Sequence, residues 1–179
     1  DVYKRQAIKE VLVVGAGDAD LPEGMSDFAS TLSKYPETPL EGELLGAAML
    51  YSSGTTGRPK GIVRPLPEQS PNEPLPVIGF LSGLWRYRED MIYLSPAPLY
   101  HSAPQAAVGL TLRMGGTVVI MERFDPADYL RFVEEYQVSH SQLVPTMFSR
   151  MLKMPEEDRT KYDLSSLEVA VHAAAPCPV

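Results

Sequence analysis

The sequence is poor in cysteine and in positive charge, and it has no long apolar run. Cys177 is the only cysteine among 179 residues, which excludes an internal disulfide and fits a reducing compartment, the cytoplasm. The formal net charge is −7, and no run of Lys and Arg occurs, which disfavours nucleic acid as a partner. No apolar stretch has the length of a transmembrane helix. Since 44% of the residues are hydrophobic and 22% are charged, the composition indicates a globular domain.

Short apolar segments alternate with helical patterns along the chain, which predicts an α/β fold with a largely parallel sheet flanked by helices. The right-handed crossovers of such folds predict helices on both faces of the sheet. The predicted strands are 10–14, 47–51, 91–94, 117–121, 139–143 and 167–172. The predicted helices follow Ser26, cover 77–84 and 104–114, and begin at Asp125-Pro126 and Pro145.

Two of these segments are expected to be fully covered. Residues 10–14 form a continuous apolar run that is typical of a buried strand. Residues 104–114 are almost wholly apolar, which predicts a buried helix. Between them, residues 64–76 contain five prolines and are expected to form an extended loop.

The segment from Tyr51 to Gly61 concentrates hydroxyls, glycines and a lysine. Glycine lets the backbone approach a ligand closely, and hydroxyl, N–H and ammonium groups bind anionic oxygens, so a phosphate-binding loop is one interpretation. A flexible linker is the other interpretation of such a composition. The spacing of Gly57 and Lys60 differs from that of a Walker A loop, in which lysine directly follows glycine. The segment reads Tyr51-Ser52-Ser53-Gly54-Thr55-Thr56-Gly57-Arg58-Pro59-Lys60-Gly61.

The order of these eleven residues closely resembles the AMP-binding loop of the adenylate-forming superfamily. The resemblance implies ATP-dependent activation of a carboxylic acid, with acyl-AMP and pyrophosphate formed first and a thiol such as CoA then taking the acyl group. It implies that Thr55 and Lys60 are catalytic. It further implies that the loop binds the phosphates of ATP, with magnesium arriving on the nucleotide and no metal site in the chain itself. The nucleotide-binding residues of the loop would be Ser52, Ser53, Gly54, Thr55, Thr56, Gly57 and Lys60.

Two further segments resemble motifs of the same superfamily. Pro98-Leu99-Tyr100-His101 implies that Tyr100 and His101 border the substrate pocket, with His101 as a third catalytic residue close to the carboxylate, although a lone histidine is also commonly a hydrogen-bonded structural residue. The helix after it carries Ala106 and other small residues, which fit either an acyl tunnel or tight packing. The turn Ala174-Ala175-Pro176 implies contact with the adenine and the acyl group, whereas its local sequence equally fits a simple strand exit.

The resemblance leads to three hypotheses for function. An acyl-CoA synthetase acting on a fatty acid is preferred, because amino-acid-activating relatives carry an aspartate where this chain has His101. An aryl or nonribosomal-type adenylation domain is the second, and a non-catalytic nucleotide-binding module is the third. Residues 1–179 are interpreted as a partial N-terminal domain that lacks the C-terminal domain and is inactive alone, with residues 1–6 as candidate foreign sequence.

Overall fold

The computed structural model describes residues 10–17, 19–52 and 59–176. The chain divides into two compact units, Asp1–Gly46 with Leu66–Pro71 and Ala47–Pro65 with Asn72–Val179. In the described part of the chain, no helix is both long and apolar enough to cross a membrane.

The first unit contains a two-stranded parallel sheet and one short helix. Strand β1 covers Val11–Val13, strand β2 covers Met25–Asp27, and helix α1 covers Phe28–Leu32. The prediction of a strand at 10–14 is confirmed, but the expectation that it is buried is wrong, because Leu12 is 44% exposed and Val14 is 79% exposed. A sheet of two three-residue strands has too little surface to cover its own apolar side chains.

Helix α1 begins one residue later than predicted. Asp27 is its N-cap, and the Asp27 carboxylate accepts a hydrogen bond from the Ser30 backbone N–H at 2.8 Å. Ser26 lies in β2, where its hydroxyl donates to the Glu10 carboxylate. Serine and aspartate cap helices about equally well, so the sequence offered two adjacent candidates.

The second unit begins with an antiparallel hairpin around the glycine-rich segment. Strand β3 covers Leu50–Ser52, strand β4 covers Lys60–Ile62, and their register pairs Ser52 with Lys60. The predicted strand at 47–51 therefore begins three residues later, and β4 was not predicted. The glycine-rich segment is thus the connection between two paired strands.

A four-stranded sheet forms the centre of the second unit, and all its strand pairs are parallel, as predicted. Its order is β6-β5-β7-β8. The strands are β5 (Ile92–Ser95), β6 (Thr117–Ile120), β7 (His140–Leu143) and β8 (Val169–His172). The helices are α2 (Pro76–Trp85), α3 (Ser102–Arg113), α4 (Pro126–Glu135), α5 (Pro145–Leu152) and α6 (Glu156–Arg159). Only α6 had no counterpart among the predicted helices.

Helices cover both faces of this sheet. Adjacent side chains of a strand point to opposite faces, and Tyr93 and Leu94 of β5 belong to two different core clusters. Leu94 packs in the cluster that contains Val133 of α4 and Met147 of α5. Tyr93 packs in the cluster that contains Leu81 of α2 and Ala107 of α3. The expectation of helices on both faces is confirmed.

Helix α3 contradicts the expectation that it is buried. Ala107 and Thr111 are its buried residues, whereas Leu112 is 60% exposed. The helix packs one side against the sheet and leaves the other side open. An apolar composition identified the helix but not how much of its surface a neighbour covers.

Candidate functional site

The strand order creates a crevice between β5 and β7. The chain leaves β5 through α3 toward β6 on one side, and it leaves β7 through α5 toward β8 on the other side. Because β5 and β7 are neighbours, their outgoing connections diverge at the carboxyl edge of the sheet. Ligands of open parallel α/β sheets bind at such a switch point.

A cavity of about 350 Å³ lies at this edge. Its walls come from the loop after β5, the first turn of α3, the end of β7 and the turn after β8. Its volume is at the lower end of the range for small-molecule pockets. The described lining residues are Ala97, His101, Ser102, Ala103, Pro104, Gln142, Leu143, Val144 and Ala174.

His101 lines this cavity from the position just before α3. Its backbone is extended, as an N-cap residue requires, but its side chain makes no capping bond. The ring lies 4.4 Å from the Tyr100 ring, centroid to centroid. Within the described residues the imidazole makes no hydrogen bond, so both of its nitrogens remain available for a ligand.

Ala174 lines the cavity with an unusual backbone. Its φ is 74°, in the left-handed region that residues other than glycine seldom adopt. The preceding residue extends the β7–β8 ladder, since the Ala173 N–H donates to the Leu143 carbonyl at 3.1 Å. Such strained backbone is concentrated at functional sites. The neighbouring Ala175 and Pro176 are exposed and are absent from the described lining.

Two other predicted pocket residues lie beside the cavity. Tyr100 is 83% exposed and is absent from the described lining, but its ring lies against that of His101, which lines the cavity. Ala106 lines a second cavity of about 520 Å³. Both cavities share Ser102 and Ala103, so they flank the first turn of α3. The second cavity is lined by Ala48, Leu50, Arg64, Ser102, Ala103, Gln105 and Ala106.

The predicted phosphate loop is described only at its two ends. Ser52 closes β3 and Lys60 opens β4, and the two residues are register partners. Lys60 is exposed. The predicted residues Ser53, Gly54, Thr55, Thr56 and Gly57 lie outside the described residues, as does the side chain of Ser52. Their roles stay predictions.

His140 has a structural environment. It is 1% exposed, its Nε2 lies 2.9 Å from the Trp85 carbonyl oxygen, and its Nδ1 lies 2.8 Å from the Ser139 hydroxyl. A carbonyl can only accept, so Nε2 carries the hydrogen. Burial lowers the pKa of His140 and favours the neutral ring. These bonds tie the end of α2 to the sheet, which is a structural role.

Sequence reasoning missed most of the cavity lining. Gln142, Leu143 and Val144 lie where β7 leads into α5, and nothing in their local sequence marks them as ligand-facing. Strand periodicity places Gln142 on the same face as His140, but it does not indicate which residues of that face line a cavity. The described residues include no group of three or more His, Cys, Asp or Glu side chains arranged to hold a metal ion.

Comparisons with known proteins agree with this geometry. The family model described as AMP-binding enzyme matches residues 2–179. The medium/long-chain-fatty-acid–CoA ligase FadD8 of Mycobacterium tuberculosis is 28% identical, over 94% of this chain and 29% of that protein. The 4-coumarate–CoA ligase 2 of Petroselinum crispum is 31% identical, over 95% of this chain and 31% of that protein.

A solved structure supports the fold as well. The ATP-bound MatB of Rhodopseudomonas palustris superposes with a TM-score of 0.61 at 26% identity, over 87% of this chain and 30% of that chain. The chain thus spans about a third of the length of the proteins it matches. Together with the parallel sheet, these matches establish that the chain belongs to the AMP-binding enzyme family.

Proposed function

We propose that the protein carrying this chain uses ATP to activate a carboxylic acid and then transfers the acyl group to CoA. A carboxylate oxygen attacks the α-phosphorus of ATP, and the bond to pyrophosphate breaks. The thiol sulfur of CoA then attacks the acyl carbonyl carbon, and AMP leaves. The observation that carries the proposal is the cavity at the β5–β7 switch point, lined by His101 and Ala174, in a chain of the AMP-binding enzyme family.

The relatives support this chemistry at a coarse level. FadD8 and the Petroselinum crispum protein are both named as CoA ligases, and MatB was solved with ATP. The acids named differ, since one is a medium- or long-chain fatty acid and the other is 4-coumarate. We retain a fatty acid as the proposed substrate and an aryl acid as the alternative.

The glycine-rich loop has a role that follows from its donors. In the proposal, the hydroxyls of Thr55 and its neighbours and the N–H groups of Gly54 and Gly57 bind the β- and γ-phosphates. Lys60 adds a positive charge where negative charge accumulates on the departing pyrophosphate. Such charge stabilisation and positioning account for most catalysis of phosphoryl transfer. Magnesium would enter with ATP and bind mainly phosphate oxygens and water.

The cavity has a complementary role. None of its described lining residues is an aspartate, glutamate, lysine or arginine. A substrate ammonium would find no carboxylate there, which favours an acid without an amino group. In the proposal, His101 forms the wall next to the carboxylate, while Ala174, Ala175 and Pro176 contribute backbone to the acyl and adenine side.

The proposal is tested by ATP–pyrophosphate exchange in the complete natural protein. Fatty acids of graded length and a set of aryl acids are offered, each with and without CoA. We expect acid-dependent exchange, and CoA-dependent release of AMP with the same acids. Nucleotide binding without exchange for any acid would contradict the proposal and favour the non-catalytic module.

A further inference from the structure

Gln142, Leu143 and Val144 line the cavity where β7 ends, and we call this part of the lining its floor. Gln142 is the polar residue of the floor. It lies on β7, one residue before the strand ends, and its register partner on β8 is Val171. Side chains alternate along a strand, so Gln142 shares the face of His140, which packs beneath α2, rather than the face of Leu143. The other polar side chains of the lining, His101 and Ser102, come from the wall formed by α3 and the loop before it.

The carboxamide of Gln142 has unused hydrogen-bonding capacity. It makes no hydrogen bond with any side chain or backbone group of the described residues, although it can donate two hydrogens and accept at its oxygen. The rest of the floor and much of the wall are apolar, since Ala97, Leu143, Val144 and Ala174 line the same cavity. Gln142 is therefore the polar side chain that β7 contributes to a lining in which apolar residues predominate.

A bound acid would remove this amide from water. If the acid presents only methylene or ring carbon atoms, the amide is left without partners, which is costly for a buried polar group. If the acid presents a hydroxyl at that place, the hydroxyl can both donate to the amide oxygen and accept from the amide N–H. Sites built around such a polar group discriminate strongly against analogues that lack the matching group.

From this geometry we infer that the preferred acid carries a hydroxyl group that hydrogen-bonds to Gln142 at the floor of the cavity. This inference rests on the proposed function, because it names the substrate class of the same site. It selects hydroxylated acids, whether their skeleton is aryl or alkyl, over the corresponding unsubstituted acids. Gln142 acts by determining specificity and takes no part in bond making.

The test uses matched pairs of acids in the complete natural protein. Cinnamic acid is compared with its 2-, 3- and 4-hydroxy forms, and octanoic acid with its 6-, 7- and 8-hydroxy forms. The readout is kcat/KM for acid in ATP–pyrophosphate exchange. We expect at least one hydroxylated acid to be preferred over its parent by roughly tenfold to a hundredfold, the size of effect that an unpaired buried amide produces.

Substitution of Gln142 identifies the residue responsible. Gln142→Met keeps the length of the side chain but removes the amide. We expect the ratio of kcat/KM for the hydroxylated acid to kcat/KM for its parent to fall close to one, mainly because kcat/KM for the parent acid rises. Gln142→Leu is a second apolar replacement, and thermal unfolding verifies that either variant is folded. Gln137→Met makes the same change at an exposed residue after α4, outside the described cavity linings, and should leave the preference unchanged.

The outcomes separate the two proposals. Exchange with equal kcat/KM for parent and hydroxylated acids in the wild-type protein overturns the inference and leaves the proposed function standing. A preference that persists in folded Gln142→Met and Gln142→Leu also overturns it. Absence of exchange with every acid refutes the proposed function and, with it, this inference.

Discussion

The β3–β4 hairpin and the four-stranded sheet differ in how deeply their side chains are buried. In the hairpin, Tyr51, Lys60 and Gly61 are exposed, and the strands are three residues long. In the sheet, Leu94 and Leu143 are almost completely buried, and the cavity begins where their strands end. The sheet therefore fixes the position of the cavity, whereas the hairpin strands hold the two described ends of the glycine-rich segment. Proteins commonly combine a rigid scaffold with exposed connecting segments in this way.

This difference predicts which substitutions affect chemistry and which affect stability. A change at the hairpin or in the cavity wall should alter activity in a folded protein. A change between the sheet and its helices should alter the free energy of unfolding. Three variants test this distinction, and the one expected to change the protein most comes first.

The largest effect is expected from filling the cavity. Ala103 lies in the exposed first turn of α3 and lines the cavity, so Ala103→Phe should occupy the space intended for the acid without disturbing the core. We expect kcat/KM for acid to fall by roughly a hundredfold or more, the scale of steric discrimination in a pocket of fixed shape, with ATP binding retained.

The matched control for Ala103→Phe is Leu112→Phe on the same helix. Leu112 is an exposed residue outside the described cavity linings, so this variant should keep wild-type kinetics. Equal kinetics for the two variants would show that the cavity does not take the acid.

The second largest effect is expected on the free energy of unfolding, from a change in the turn that joins α3 to β6. A Cβ on Gly116 would lie 2.9 Å from the Met91 carbonyl oxygen and 2.9 Å from the Thr111 side chain. Gly116→Ala should therefore lower the free energy of unfolding by about 1–3 kcal/mol through overpacking. Chemical denaturation measures this change.

Gly109, which lies within α3, provides the contrast to the turn residue Gly116. Nothing lies within 4 Å of a Cβ added there, and alanine is the better helix former, so Gly109→Ala should be neutral or stabilising by about 0.5–1 kcal/mol. If Gly109→Ala destabilised the protein as much as Gly116→Ala, the placement of Gly109 on the open side of α3 would be incorrect.

The smallest effect is a pH dependence that arises at His140. Burial is the main cause that lowers its pKa, and nearby Arg88 adds to it, whereas the Trp85 carbonyl and Glu168 oppose it. The pKa of His140 in the folded protein lies below its value of about 6.5 in the unfolded chain. The contribution of the neutral ring to the free energy of unfolding is therefore complete above pH 6.5. This contribution is lost as the pH falls from 6.5 toward the folded pKa, at no more than about 1.4 kcal/mol per pH unit.

The dependence is measured as the difference between two proteins. His140→Gln keeps a donor toward the Trp85 carbonyl but does not titrate, so its free energy of unfolding should change less between pH 7 and pH 5 than that of the wild type. Parallel pH profiles for the two proteins would contradict the role given to His140. The difference removes every pH-dependent contribution that the two proteins share.

The sheet was largely predictable from sequence because its signals are local and repeated. Apolar strand segments alternate with helices that begin at proline, as at Pro126 and Pro145. Burial was predicted less well, since Val14 and Leu112 are apolar yet exposed. Whether a neighbour covers an apolar residue depends on the tertiary arrangement, which local periodicity does not contain.

The candidate site was predictable only in part, and for a similar reason. His101 and Ala174 were identified through motifs, and the fold places both on one cavity. Gln142 was not identified, because its position on the cavity floor follows from the order β6-β5-β7-β8. That order is a long-range property, and no short segment of the sequence encodes it.

The most direct test of the account is acid-dependent ATP–pyrophosphate exchange in the complete natural protein with Lys60→Ala and Thr55→Ala combined. Loss of the charge and the hydroxyl to which the proposal gives the stabilisation of the departing pyrophosphate should lower kcat by roughly 10²–10³-fold and weaken ATP binding, while the fold is retained. Wild-type exchange and wild-type affinity for ATP in this double variant would contradict the account.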